Sequence, residues 1–187
     1  MASERPAVPP VVVLDANLLY PFQLRNLLVQ FGVDGVIAPR WTERIHEEWI
    51  SNLVTAGRTP LDRLRRTRDL MNRALPEADV PGWKQHMRDL ALPDPDDRHV
   101  LALAAGAGTI LTMNLRDFPA PALATYGVQA IHPDGFLCEL HDADPELIRA
   151  SAEAAYANLS QSTPSFPEYL DALERQGMPA LARRLRA

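Results

Sequence analysis

Acidic side chains stand at the edges of four apolar segments of this chain, in positions where carboxylates could bind a metal ion. They are Asp15 after the run VVVL, Glu47 and Glu48 in TERIHEEWISNL, Asp94, Asp96 and Asp97 in LPDPDDRHVLALA, and Asp117 in TILTMNLRDFP. Because the surrounding residues are core-forming, these carboxylates cannot all serve to solvate the surface. Clustered carboxylates repel one another, and a divalent cation normally holds several of them together. The pattern predicts a Mg²⁺- or Mn²⁺-dependent phosphodiester hydrolase.

Asp15, Glu47 and Glu48 could each have a structural role instead of binding a metal ion. Asp15 ends a strand and would face the crevice beyond it, or it is a turn residue that caps the next helix. Asn17 could cap that helix instead, which would leave Asp15 freer for a metal. The periodicity of the later helix, at about 100° per residue, does not choose between Glu47 and Glu48, and both could be solvated. His46 falls inside the apolar stripe, which favours a hydrogen-bonded core histidine over a metal ligand.

The segment LPDPDDRHVLALA is the strongest single motif. Asp94 before Pro95 fits a helix N-cap, which places Asp97 in the first turn, where the helix dipole favours a carboxylate. Capping alone would explain Asp94 and Asp96, but three aspartates in four residues are more than capping needs. An EF-hand loop is excluded by Pro95 and by the missing glycine and distal glutamate.

The segment TILTMNLRDFP supplies three polar residues after a buried strand: Thr112, Asn114 and Asp117. Asn114 can hydrogen-bond a phosphate or a carboxylate ligand, and Asp117 can complete the set of charges. The alternative is an Asx-rich turn without a function in binding.

The alternation of strands and helices predicts how these residues are positioned. Strands are expected at 11–14, 36–41, 109–112 and 128–131, and helices at 18–30 (with Pro21 interrupting), 42–56, 60–74, 82–92, 94–105, 145–159 and 166–176. This order is typical of an α/β fold with a central parallel sheet and helices on both faces. In such sheets the site lies beyond the carboxyl ends of the strands, where Asp15, Asn114 and Asp117 fall. We expect a flexible lead-in at 1–10, a nuclease domain at 11–142 and a helical C-terminal extension at 143–187.

Composition narrows the class of protein. The chain has 187 residues, of which 47% are hydrophobic and 23% charged, as expected for one globular domain with or without a small appendage. Its single cysteine, Cys138, excludes an internal disulfide, and no signal peptide or membrane span is visible, so we expect a cytoplasmic protein. A formal net charge of -5 argues against a nucleic-acid coat protein but not against a nuclease, because an acidic metal site contributes to it.

Arginine dominates the basic residues, since Lys84 is the only lysine among 19. Arginines crowd 58–73 and 183–186, and Arg63 and Arg66 in the first of these segments are candidates to bind substrate phosphates. The segment 58–73 is equally placed to bind an acidic segment of a partner protein, and a compositional bias toward arginine is the remaining alternative.

The order and spacing of these motifs make the chain similar to a known family. LDAN, a glutamate on the helix after the second strand, DPDDRHVLALA, TMNLRDFP and the PDGF-containing segment resemble the PIN-domain ribonucleases, particularly the VapC-type toxins of bacterial toxin–antitoxin pairs. The resemblance covers about residues 10–142 and implies a three-layer PIN-like sandwich with a parallel sheet of four to five strands. The helical extension resembles one seen in some toxins of a subgroup with the DPDD form.

The resemblance implies roles for individual residues. Asp15 and Asp97 would be direct ligands of one Mg²⁺ or Mn²⁺ ion, and Glu48 would orient or deprotonate the attacking water. Asp117 would complete a weaker second metal site, and Asp94 would add a further carboxylate. Asn114 stands where many relatives have aspartate.

Further implications concern the substrate and the partners. Asn114 would position the scissile phosphate, and Thr112 and Asn17 would contact the substrate. The resemblance also implies RNA as the substrate, a cognate antitoxin as partner, and a possible homodimer.

Two other classes stay open at this point. A HAD-type phosphatase also has an aspartate at a strand end, but it needs a second aspartate two residues later, where this chain has Asn17. A non-catalytic PIN-like scaffold that binds RNA or protein is supported by Asn114, and it is opposed by the presence of Asp15, Glu48 and Asp97.

Overall fold

The computed structural model describes residues 8–57, 59–86, 91–104, 106–159, 161–162 and 165–187. Parts of several expectations lie outside the described residues. These parts are most of the lead-in, Arg58, residues 87–90 and Ala105.

A parallel sheet forms the centre of the described part of the chain. Its strands are β1 (Val11–Leu14), β2 (Ala38–Arg40), β3 (Thr109–Leu111) and β4 (Gln129–Ile131), in the order β2-β1-β3-β4. Val13 of β1 pairs with Arg40 on one side and Ile110 on the other. One parallel bridge, between Trp41 and Asp79, continues the sheet beyond β2. The α/β fold, a PIN-like sandwich with C-terminal helices, is therefore confirmed.

Helices connect these strands and continue after the last one. They are α1 (Ala16–Leu19), α2 (Phe22–Val33), α3 (Glu43–Thr55), α4 (Leu61–Ala74), α5 (Arg98–Ala104), α6 (Ala120–Ala124), α7 (Pro133–Ala143), α8 (Pro145–Asn158), α9 (Phe166–Arg175) and α10 (Pro179–Arg186). Short 3₁₀ turns cover Trp83–His86 and Pro95–Asp97. No described helix is long and apolar enough to cross a lipid bilayer.

Several element boundaries differ from the prediction. The helix expected over 18–30 is divided, because Pro21 lacks an N–H donor and instead accepts the backbone N–H of Arg25 as the N-cap of α2. The helix expected from residue 82 is a short 3₁₀ turn in the described residues. The helices α6, α7 and α10 were not predicted.

The α3 helix follows the predicted capping and packing. The hydroxyl of Thr42 accepts the N–H of Ile45 at 3.3 Å, as an N-cap should. His46 is buried, its Nδ1 accepts the indole N–H of Trp49 at 3.0 Å, and its Nε2 lies 3.0 Å from the Asn72 side-chain oxygen. Burial lowers the pKa of His46 to about 4, so this histidine is neutral. The prediction of a hydrogen-bonded core histidine is confirmed.

The C-terminal helices pack against α2, which directly precedes β2 in the chain. The backbone N–H of Leu24 donates to the Gln176 side chain at 2.9 Å, and the Asn26 side chain donates to the carbonyl of Ala155 at 2.7 Å. Asp134, at the start of α7, accepts the backbone N–H groups of Ala180 and Leu181 at 3.0 and 2.9 Å. This buried carboxylate therefore caps the N-terminus of α10 from a different helix.

Candidate active site

Asp15 is held rigidly at the carboxyl end of the central strand. Its side chain is 8% exposed, and its backbone N–H donates to the carbonyl of Leu111 on β3. Its Oδ2 atom accepts the Thr112 hydroxyl at 2.6 Å and the Asn17 amide at 2.7 Å. Burial raises the pKa of Asp15, Glu48 adds to the rise, and the Thr112 hydrogen bond opposes it. Asp15 is thus oriented by neutral donors, which do not neutralise its charge.

Asn17 and Thr112 support this carboxylate rather than facing a substrate. The Asn17 side chain donates to Asp15 and to the Thr112 hydroxyl at 3.0 Å, and it accepts the Met113 N–H at 3.2 Å. Asn17 is therefore not the N-cap of α1. Asp15 occupies that position but makes no side-chain capping hydrogen bond, so the expectation that Asp15 caps the helix is not met either. Thr112 is fully buried, so its expected contact with substrate is replaced by contact with Asp15. No acid stands at position 17, where a HAD-type phosphatase requires one.

Asp97 lies among the other aspartates at the start of α5. Burial, and then the charges of Asp15, Asp117 and Asp94, together raise the pKa of Asp97 to about 7. The helix α5, which begins directly after this 3₁₀ turn, packs against both β1 and β3, so the residues that follow these strands lie near the turn. Asp94 is exposed and caps the turn as predicted, since its Oδ1 accepts the N–H of Asp96 at 2.8 Å. The negative charges of the neighbouring aspartates therefore make it harder for Asp97 to lose its proton.

Asn114 and Asp117 form a pair at the end of the loop after β3. The Asn114 side-chain amide donates to the Asp117 carboxylate in a short contact, and the Asn114 backbone N–H donates to the Thr112 hydroxyl at 3.0 Å. Asn114 is exposed, which is compatible with its proposed contact with a phosphate. Its amide also holds Asp117, so the asparagine that departs from the family pattern orients the neighbouring carboxylate.

The two candidate glutamates on α3 have different environments. Glu48 has a side chain 25% exposed, lies 3.1 Å from Arg44 and 3.5 Å from His99, and raises the pKa of Asp15. The Glu47 side chain is 61% exposed, and its nearest cation is Arg44 at 3.9 Å. Glu48 is therefore the glutamate that faces the aspartates.

His99 is a residue of this site that the sequence reasoning missed. It is 2% exposed, its Nδ1 donates to the Asp96 carbonyl at 2.6 Å, and its Nε2 faces Glu48 at an ion-pair distance without an aligned hydrogen bond. Burial alone would lower the pKa of His99, but Glu48 and the Asp96 carbonyl raise it overall. The available signal was a histidine two residues after Asp97 in DDRH, on the buried side of α5.

The donor set suits a hard divalent cation, although the described arrangement does not preform a cage. Mg²⁺ and Mn²⁺ prefer carboxylate oxygens, and in the hydrogen bonds described here Asp15 uses only Oδ2. A cation would also relieve the repulsion that raises the pKa of Asp97. However, in the ranges that the structure describes, no three His, Cys, Asp or Glu side chains are grouped closely enough to hold a metal ion. The site residues would have to turn toward one another to chelate.

The two arginines expected to bind phosphates lie on α4, in two other clefts. Arg63 lines a cleft together with Arg25 and Arg175, and Arg66 lines one that also contains Asp62. Neither cleft includes a carboxylate of the site. The structure therefore does not bring these arginines together with the aspartates.

Comparison with known proteins concerns mainly the C-terminal part of the chain. Residues 133–187 match the family described as the VapC50 C-terminal domain. The chain is 46% identical over 56 residues to a protein of Mycobacterium tuberculosis (strain ATCC 25618 / H37Rv) named "Putative ribonuclease VapC50". This alignment covers 29% of the chain and 33% of the relative, so the chain spans about a third of the length of the curated relative it matches. No solved structure matches the chain. The chain is thus similar to VapC50-type proteins over less than a third of its length, and the match of residues 133–187 to the VapC50 C-terminal domain is the basis of that similarity.

Proposed function

We propose that this protein is a metal-dependent endoribonuclease that hydrolyses RNA phosphodiester bonds and acts as a bacterial toxin inhibited by a cognate antitoxin. The main support is the convergence of carboxylates from the ends of β1 and β3 and the start of α5. The pKa of Asp97 reflects this convergence, since burial and then the neighbouring aspartates raise it to about 7. Such a cluster suits a divalent cation. The VapC name of the relative supports RNA and an antitoxin as substrate and partner.

In this proposal Asp15 and Asp97 hold one Mg²⁺ or Mn²⁺ ion, with Asp117 and Asp94 adding charge for a weaker second site. When bound, the cation supplies charge stabilisation for the scissile phosphate and a lower pKa for water. Glu48 takes a proton from the attacking water.

The surrounding side chains orient this set. Thr112 and Asn17 fix the Asp15 carboxylate from the buried side, and His99 lies against Glu48. Asn114, exposed beside Asp117, contacts the phosphate.

Cleavage of total RNA with added Mn²⁺ or Mg²⁺ tests the proposal. We expect discrete fragments from the wild type, and none with a chelator or with Asp15→Asn or Asp97→Ala. Loss of one metal-binding carboxylate should cost several kcal/mol of transition-state stabilisation, roughly 10²- to 10³-fold or more in rate. Asp62→Asn is the matched control, because Asp62 is also an exposed aspartate in the first turn of a helix, α4. If Asp15→Asn and Asp97→Ala cut as well as wild type, the proposed site is wrong.

The adjacent glutamates provide an internal comparison for the role of the base. Glu48→Gln should lower turnover at saturating RNA, roughly 10²-fold or more, because a general base contributes on that scale. Glu47→Gln, one residue away on the exposed side of α3, should retain turnover at saturating RNA within about twofold, because a loss of RNA affinity alone does not lower turnover once the RNA is saturating. The reverse result would assign the base to Glu47.

A non-catalytic scaffold that binds RNA or protein is the second candidate. It is favoured by the lack, among the described residues, of three side chains close enough to hold a metal ion. Calorimetric titration with Mn²⁺ separates the two, since a scaffold should bind the ion weakly and cut no RNA. The proposed homodimer is tested independently by sedimentation of the purified chain.

A further inference from the structure

A cleft beside the proposed active site has side chains suited to a nucleobase. Its volume is about 350 Å³, and it lies between α3 and the two 3₁₀ turns. Glu43, Arg44 and Glu47 line it from α3, and Trp83 and Lys84 line it from the first 3₁₀ turn. We call this the Trp83 cleft. It combines an aromatic ring, carboxylates and cations in a small volume.

The Trp83 cleft shares a wall with the site of the proposed reaction. His99 lines the cleft, its ring centroid lies 5.7 Å from that of Trp83, and its Nε2 lies 3.5 Å from Glu48. His99 is thus in contact with both the tryptophan of the cleft and the proposed general base. The cleft and the proposed active site are therefore adjacent.

Trp83 differs from the other tryptophans in its exposure. Trp41 and Trp49 are fully buried, whereas Trp83 is partly exposed and meets His99 edge-on at 60°. The ammonium of exposed Lys84 lies over the Trp83 ring, 5.7 Å from its centre, so a base that stacks on this face would displace a solvent-exposed side chain. Unpaired RNA bases stack on such aromatic faces.

The carboxylates of the cleft favour one kind of base. Glu43, Glu47 and Asp96 supply acceptors only, and they line the cleft together with Trp83. Guanine presents two adjacent donors on its Watson–Crick edge, a ring N–H and an amino group, which match the two oxygens of one carboxylate. Adenine and cytosine pair one donor with an acceptor on that edge, and uracil has a single donor between two acceptors.

We propose that the Trp83 cleft binds an unpaired guanine of the RNA substrate, stacked on Trp83 and hydrogen-bonded to a carboxylate of α3. This inference rests on the proposed ribonuclease function for its biological meaning. Lys84 and Arg44 lie where they can contact the phosphates that flank the base. Recognition would thereby fix which phosphodiester bond reaches the aspartates.

Tryptophan fluorescence provides a direct test, because the two buried tryptophans are shielded from an added ligand. With chelator present and no metal, GMP should quench the emission of the full chain in a saturable manner, and AMP, CMP and UMP should quench it at least about tenfold more weakly. Glu43→Gln and Glu47→Gln together should remove the preference for GMP, since an amide offers a donor where guanine also has one. Glu139→Gln, an exposed glutamate on α7, is the matched control and should retain it.

A second measurement tests GMP binding in the Trp83 cleft without relying on tryptophan fluorescence. Trp83→Ala should weaken GMP binding, followed by equilibrium dialysis, by roughly 5- to 100-fold, the scale of one base–aromatic stack. Trp83→Phe, which keeps an aromatic face, should recover most of that loss. Phe22→Ala, a 42% exposed aromatic residue on α2, is the control and should bind GMP as the wild type does.

The outcomes separate this inference from the proposed function. No saturable binding of GMP, or equal binding of all four nucleotides, would overturn the guanine cleft even if the protein cuts RNA. Selective GMP binding that depends on Trp83 would support the proposed guanine site even if the protein cuts no RNA. In that case the proposed ribonuclease function would be refuted and the guanine site would not.

Discussion

Replacing Asp97 with asparagine should make the metal-free protein more stable at alkaline pH. Burial first, and then Asp15, Asp117 and Asp94, raise the pKa of Asp97 from 3.8 to about 7. For an acid, a raised folded-state pKa means that the native state binds more protons than the unfolded state between these two values. The free energy of unfolding therefore falls as the pH rises from about 4 to about 7, and the loss is complete above 7. Asp97→Asn removes the charge and with it this loss.

The expected gain is smaller than the two pKa values alone suggest. Their difference corresponds to about 4 kcal/mol at about 1.4 kcal/mol for each pH unit. Asp97 is only partly buried, so solvent screening reduces the effect to about 1–2 kcal/mol. Asparagine also loses the favourable interaction of a carboxylate with the helix start, about 0.3–1 kcal/mol. Electrostatic relief exceeds that loss, and a net gain of about 1 kcal/mol should raise Tm by about 2–4 °C.

Thermal unfolding followed by circular dichroism with a chelator present, at pH 5 and pH 8, measures this difference. Asp97→Asn should unfold at a higher temperature than wild type at pH 8, and the difference should shrink at pH 5, where Asp97 is mostly protonated. Asp62→Asn is the matched control, since Asp62 also lies in a first helical turn, and it should lower Tm slightly at both values. An Asp97→Asn variant no more stable than wild type at pH 8 would refute the claim that the aspartates repel one another here.

Three further perturbations test how the site and the C-terminal helices are held. Thr112→Val keeps the shape of the side chain but leaves its buried hydrogen-bond partners unsatisfied, so it should lower the free energy of unfolding in urea by about 2–3 kcal/mol. Thr112→Ser keeps the hydroxyl and should lower it by about half as much. Equal losses in the two variants would assign the effect to packing. Asp134→Ala should lower the free energy of unfolding by about 1–3 kcal/mol and speed amide hydrogen exchange in residues 179–186, because α10 loses its cap. Unchanged exchange in these residues would contradict the capping role. His99→Ala should lower RNA turnover by roughly tenfold, because Glu48 loses its buried neighbour. His99→Gln keeps an N–H donor and should recover part of this loss. Equal turnover in the wild type and both variants would exclude a positioning role for His99.

Elements with a strong local signal were predictable from the sequence. The run VVVL is buried and β-branched, and it forms β1 over the predicted residues. Thr42 and Asp94 are N-caps as expected, because short polar side chains satisfy the free N–H groups of the next turn. The α/β architecture followed from the alternation of such elements.

The missed features depend on contacts between distant residues. The amide of Asn17 is equally able to cap a helix or to bind Asp15, and Thr112, far away in the sequence, favours the second arrangement. His99 has a functional neighbour only because α3 and α5 place Glu48 against it. The helix α10 has no capping side chain at its own N-cap, Met178, and the cap is supplied by Asp134 from α7.

The position of β1 in the sheet determines when the candidate active site can assemble during synthesis of the chain. β1 leaves the ribosome well before β3, but one of the hydrogen bonds that fix Asp15 comes from Thr112, 97 residues later. Until β3 has emerged, the nascent chain can pair β1 with β2 alone, and Asp15 has Asn17 beside it but lacks the Thr112 hydroxyl. Long-range pairing of this kind is slow compared with helix formation. A growing chain therefore carries an unassembled site until the 97 residues that separate Asp15 from Thr112 have been made.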